Sequence, residues 1–190
     1  MAKLKLSPTR SNLSLMRERL KLAREGHQLL DKKRDVLIIE ILRLIDDAER
    51  IQRQVDAQFV KAYQVMQEAR AAMGTERVRR LALSRPQEVD VEITPRSIMG
   101  VVVPSVRYAV PERRMSYGFG DTSVLLDQVQ EQWSIVLSQM GQLSEKVTTV
   151  WRLAIELRRT QRRVNALEHI FIPSYEETVD YIRDMLEEKD

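Results

Sequence analysis

The sequence predicts an all-α dominated fold: a long antiparallel two-helix coiled coil carrying a small β-hairpin or irregular head. Three observations predict it. Apolar residues recur at alternating intervals of three and four over two long stretches near the ends of the chain. Breakers are scarce, with six glycines and six prolines in 190 residues, while 31% of residues are charged and only 5% aromatic, a composition typical of long helices. The segment between the two repeats has a different, alternating pattern.

The first helix is read from a seam that starts at Leu13 and continues through Met16, Leu20, Ala23, His27, Leu30, Arg34, Leu37, Ile41, Leu44, Ala48, Ile51 and Val55. After a four-residue stutter it resumes at Phe59, Ala62, Met66, Ala69 and Met73. Heptad spacing sustained this far indicates a coiled coil. At 1.5 Å per residue, about sixty residues give a helix of about 90 Å. Gly74 stands where a helix-ending glycine belongs.

The second helix has N-cap candidates in Asp121, Thr122 and Ser123, after the flexible "GFG" of residues 118–120. Its seam is read as Leu126, Val129, Trp133, Val136, Met140, Leu143, Val147, Val150, Ala154, Leu157, Gln161, Val164, Glu168 and Phe171. Pro173 removes one intrahelical hydrogen bond and predicts a kink or frayed turn. Charge favours an antiparallel return. Residues 1–34 carry ten basic and three acidic residues, and residues 174–190 carry seven acidic and two basic, so folding back sets opposite signs side by side.

Between the helices, "EVDVEIT" (88–94) alternates apolar and charged residues and "IMGVVVP" (98–104) is β-branched, with "TPRS" between them. This reads as a short hairpin with Gly100 and Pro104 near its end, followed by an irregular stretch. The expected organisation is therefore residues 1–74 as the first long helix, 75–121 as the head and 122–190 as the second long helix.

Polar residues inside the seam form a candidate layer. With the helices antiparallel, Arg34 falls opposite Val164, between Gln161 and Glu168, and His27 falls near Phe171. Arg34 is expected either to pair with Glu168 or Gln161, fixing register, or to extend its head to water. A second cluster, Arg158, Arg159, Arg162 and Arg163, reads either as a solvated face or as a contact with a protein partner. With Leu157 and Val164 in the seam, Arg158 and Arg162 flank it and Arg159 and Arg163 point away. Nucleic acid is disfavoured as a partner, because no aromatic residues interleave with the arginines and the net charge is only +3.

Catalytic constellations are missing from the sequence. There is no cysteine, there are only two histidines, and neither a phosphate-cradling GxxxxGK[ST] nor an HExxH occurs. No metal, cofactor or catalytic residue is expected, nor an enzyme. The N-terminus lacks a signal-peptide core, and no window is apolar enough to span a membrane. The reading is an intracellular chain without direct membrane insertion.

Two long stretches then identify a family. "SPTRSNLSLMRERLKLAREGHQLLDKKRDVL" (7–37) and "RRTQRRVNALEHIFIPSYEETVDYI" (158–182), with "VDVEITPRSIMGVVVPS" between them, resemble the D subunit of the V-type and A-type rotary ATPases. The resemblance covers nearly the whole chain, although family members usually continue past the position of Asp190. It implies a non-catalytic central rotor shaft, cytoplasmic and peripheral to the membrane. The helix ends would stand inside a hexamer of catalytic and nucleotide-binding subunits, with the small F subunit clasping the coiled coil. The hairpin end would face a socket subunit of the membrane sector. The four arginines become candidate hexamer contacts. A prefoldin-like chaperone subunit, also two coiled-coil helices joined by hairpin strands, is the alternative; its tips would be apolar, whereas these are charged.

Overall fold

The computed structural model describes residues 6–83, 91–108 and 123–188. Helix α1 spans Arg10–Met73 and is followed by the short helix α2, Thr75–Leu83. Strands β1 (Val91–Ile98) and β2 (Val101–Tyr108) form an antiparallel hairpin. Helix α3 (Val124–Ala166) passes through a π-helical turn at Leu167–Phe171 into α4, Ile172–Glu187. This is a helical coiled coil with a small β head. The irregular stretch after β2, the "GFG" segment and the cap candidates Asp121 and Thr122 lie outside the described residues.

Local chemistry sets the helix ends. The Thr9 hydroxyl accepts the Asn12 amide hydrogen at 3.2 Å, supplying one of the donors that a helix start leaves without a partner. At the other end of α1, Gly74 takes φ +82° and its amide donates to the Arg70 carbonyl at 3.0 Å. That left-handed conformation is nearly free for glycine and costs other residues about 1 kcal/mol. Ser123 caps α3, its hydroxyl accepting from the Leu125 amide at 3.4 Å and its carbonyl from Leu126 at 2.9 Å.

The chain divides into two compact units, residues 1–41 with 153–190 and residues 42–152. In the first, Met16, Ala23 and Leu37 of α1 are buried, as are Leu153, Thr160 and Val164 of α3 and Val179 and Ile182 of α4. Met16, Val179 and Ile182 form one cluster, with Leu13 and Tyr175 packed against it. The cross-helix pairs Arg24–Glu176, His27–Glu168 and Lys33–Glu156 run in opposite chain directions, which establishes the antiparallel register here. Arg24 and Glu176 meet at 2.6 Å, joining the basic N-terminal and acidic C-terminal segments. An exposed pair of this kind contributes at most about 1 kcal/mol, so its main effect is on register.

In the second unit, Leu44, Val55, Ala62 and Ala69 of α1 are buried, as are Val129, Val136 and Thr149 of α3. Trp133 meets the rings of Phe59 at 5.9 Å and Tyr63 at 5.3 Å edge-on, the orientation that ring quadrupoles favour. Gln58 donates to Gln132 at 2.6 Å, and Lys146 lies 3.6 Å from Asp47.

Three details differ from the sequence reading. First, the hairpin turns at Met99–Gly100, not at "TPRS". Both residues have positive φ, +53° and +80°, as a two-residue turn matched to the strand twist requires. Pro95 and Pro104 instead face each other inside the ladder. Opposite residues in such a ladder exchange both bonds or neither, alternately. The Val106 amide donates outward to Glu145, so Val106, Pro104 and Pro95 belong to the non-exchanging set, and neither proline costs a ladder bond.

Second, the α3 seam is displaced along its middle. Val147 is 52% exposed and Ala154 is also exposed, whereas Thr149, Leu153 and Thr160 are buried. Heptad spacing carried along from Met140 selects Val147 and Ala154, although Leu153 is more apolar than its neighbour Ala154. A threonine can occupy a core position because its hydroxyl bonds the preceding turn, as Thr149 does to the Glu145 carbonyl at 2.7 Å and Thr178 to that of Ser174 at 2.6 Å. Third, Pro173 does not fray the helix; the expected local irregularity takes the form of a π-helical turn at Leu167–Phe171. A wider turn precedes it, in which the Ile172 amide bonds the Leu167 carbonyl five residues back. This relieves the clash between the proline ring and the carbonyl four residues before it, and α4 then starts with the proline in its first turn, where no donor is needed.

Candidate partner interface

The expected polar layer is only partly assembled. Arg34 places one guanidinium nitrogen 2.8 Å from Asp31 and another 2.8 Å from Asp35, both on its own helix. The hydrogen bond to Asp35, with the charges of Asp31 and Asp35, raises its pKa above the ordinary arginine value. It pairs with neither Glu168 nor Gln161. Acceptors one residue ahead and three behind are met without reaching across to the other helix, so the local partners win. Gln161 likewise donates along its own helix, to Asn165 at 2.7 Å. The cross-helix contact that does form is His27 with Glu168, at 3.8 Å, too long for a hydrogen bond, and the buried His27 Nε2 has no hydrogen-bond partner.

Arg158, Arg159, Arg162 and Arg163 are all exposed on α3, and none makes an ion pair or hydrogen bond among the described residues. Thr160, rather than Gln161, joins Leu153 and Val164 in the buried line. This rotates α3 so that Arg159 and Arg163, three and seven residues beyond Glu156, share its side of the helix; they do not point away. Glu156 accepts a hydrogen bond from Lys33 at 2.9 Å. That bond, then the charges of Lys33, Arg159 and Arg163, hold the Glu156 carboxyl below its ordinary value. The same contact fixes this basic edge of α3 beside the Lys33 edge of α1.

A further surface feature escapes the sequence reading. Leu15, Leu22, Leu29 and Val36 stand at strict seven-residue intervals outside the seam and are 42%, 60%, 71% and 46% exposed. The signal is present as a second heptad spacing, but the stronger three-four alternation of the seam masks it. The described residues contain no group of three or more metal-ligating side chains, and none of their helices is long and apolar enough to cross a membrane.

Paired helices with unpaired charges and an exposed apolar row define a protein of surfaces and contacts, an assembly component. The family profile for the D subunit of ATP synthase matches residues 12–190. The chain is 38% identical over 186 residues to the A-type ATP synthase D subunit of Methanobrevibacter smithii, covering 96% of this chain and 80% of that one. It is 36% identical over 183 residues to the V-type ATP synthase D subunit of Thermotoga neapolitana (96% and 90%), and 36% identical over 190 residues to the A-type D subunit of Thermococcus kodakarensis (97% and 88%). The chain belongs to the ATP synthase D-subunit family and is a component of a multi-subunit ATPase complex.

Proposed function

We propose that the chain is the non-catalytic central-stalk subunit of an A/V-type rotary ATPase, carrying torque between a nucleotide-binding hexamer and a membrane ring that moves H⁺ or Na⁺. The family match along residues 12–190 carries this reading. Physical support comes from the paired helices: axial hydrogen bonds within each helix and an interlocked seam resist twisting, as a shaft must. The catalysis belongs to the hexamer, and the four arginines lie on the surface offered to it. The F subunit binds along the coiled coil, and the hairpin end faces the socket subunit of the membrane sector. The chain works on the cytoplasmic side, peripheral to the membrane.

The test is reconstitution of the full chain, with and without an F-subunit homologue, on the nucleotide-binding hexamer of a family member. One chain bound per hexamer with altered ATPase activity supports the stalk role. A folded chain that fails to bind the hexamer, and instead captures unfolded protein, overturns it in favour of a chaperone of the prefoldin kind.

A further inference from the structure

We infer that one flank of the first unit is a docking groove for a third, amphipathic helix, supplied by a partner protein and bearing carboxylates along one edge of its apolar stripe. This deepens the stalk reading and rests on it, naming the chemistry of the partner that meets Arg159 and Arg163.

The observations converge on one flank. Lys33 bonds Glu156 at 2.9 Å and so marks where α1 and α3 meet on this side. Leu29 and Val36, four residues before and three after Lys33, lie against it on the side away from the seam, because Leu37, not Val36, is the buried neighbour. Leu22 continues their row one heptad earlier. Single exposed leucines are ordinary, but a row at constant seven-residue spacing is the edge that a packed helix requires. Between Leu22 and Leu29, Gly26 carries no side chain and leaves the backbone open to approach: a Cβ built there would meet nothing within 4 Å.

Charge selects the occupant. On the α3 side of the leucine row stand Arg159 and Arg163, without ion pairs. On its outer side stand Glu18 and Glu25, at the positions four and three residues from Leu22, likewise without ion pairs among the described residues. The row is thus bordered by positive charge on one side and negative charge on the other. In coiled coils such flanking charges choose partner and direction. A helix with a carboxylate edge toward α3 and a lysine or arginine edge toward Glu18 and Glu25 satisfies both borders while covering the leucines. The opposite orientation of the same helix sets like charges together on both sides.

The experiment uses the reconstituted complex of the full chain with the hexamer and the other stalk subunits of a family member. A photo-crosslinking benzoylphenylalanine replaces Leu29, and separately Arg159→Lys permits carbodiimide coupling of its amine to a touching carboxylate. The expected result is that both crosslinks map to one helical segment of one partner subunit, the second at an Asp or Glu. L22Q with L29Q is expected to weaken binding of that subunit roughly tenfold or more, with unchanged helicity because both residues are exposed. Absence of any crosslink from position 29, or crosslinks at 29 and 159 on unrelated segments, in a complex that still assembles, overturns the groove. Failure of the unaltered chain to assemble would instead count against the stalk reading.

Discussion

Glu145 joins the hairpin to α3, and its removal gives a quantitative test of how the head is held. One carboxylate oxygen accepts the Val106 amide hydrogen at 2.7 Å, and the other lies 3.7 Å from the Arg96 guanidinium. The Glu145 side chain is only 18% exposed, so the bond is shielded. Nothing else in the ladder can take that amide, since it points out of the two-stranded sheet. Glu145→Ala leaves it without its charged acceptor. Hydrogen bonds to charged groups contribute about 1.5–3 kcal/mol, and each ~1.4 kcal/mol is a factor of ten. Exchange of the Val106 amide with deuterium is therefore expected to accelerate by about tenfold to a hundredfold or more in Glu145→Ala. Glu145→Gln, which keeps a neutral acceptor, should fall between the two. Seam amides such as that of Val136 should keep their protection. Unchanged exchange at Val106, or equal acceleration throughout α3, would refute the claim that this carboxylate holds the Val106 edge of the hairpin, beside the separate bond from Arg152 to the Val102 carbonyl at 2.8 Å.

Other substitutions test the packing and the charges. Leu153→Ala empties a fully buried seam position and should cost about 2–5 kcal/mol, read from the denaturation midpoint, whereas Ala154→Ser should change little. Gly26→Ala meets nothing within 4 Å and should stabilise the chain by about 0.5–1 kcal/mol, seen as a raised Tm. Glu156 has a lowered folded-state pKa, caused first by the Lys33 hydrogen bond. Its stabilisation is therefore complete above the unfolded carboxylate pKa and lost as the pH falls through the folded value. The Tm difference between the unaltered chain and Glu156→Gln should accordingly be present at pH 7 and vanish in strong acid, and for a half-buried pair still open to solvent it should be small. Changing Arg158, Arg159, Arg162 and Arg163 together to Ala should weaken hexamer binding without loss of helicity by circular dichroism; lost helicity would make these arginines structural.

The legibility of this fold follows from the reach of each interaction. Helix existence, antiparallel pairing and the capping glycine at position 74 are determined by local periodicity, by opposite charge at the two chain ends and by one backbone conformation, all of which are visible in the linear order of residues. The family, too, is carried by long contiguous stretches. Periodicity misassigns the seam of α3 where Thr149 is buried and Val147 is not, because hydrophobicity ranks valine above threonine while Thr149 satisfies its hydroxyl on the Glu145 carbonyl, and from there the strict spacing selects Ala154 and Gln161 over their buried neighbours Leu153 and Thr160. It misplaces the hairpin turn because Pro95 looks like a breaker until its edge of the strand is known.

The candidate interface divides the same way. The sequence by itself marked the arginine cluster and the polar seam residues as unusual, and it predicted a helical pair. Only the tertiary structure decided that Arg34 bonds within its own helix, that Glu168 meets His27, and that Lys33 and Glu156 bring the leucine row of α1 beside Arg159 and Arg163. Those outcomes depend on the rotation of one helix against another, a matter of about 100° per residue. Periodicity fixes that rotation only where apolar and polar residues sort cleanly, and the threonines of α3 blur the sorting.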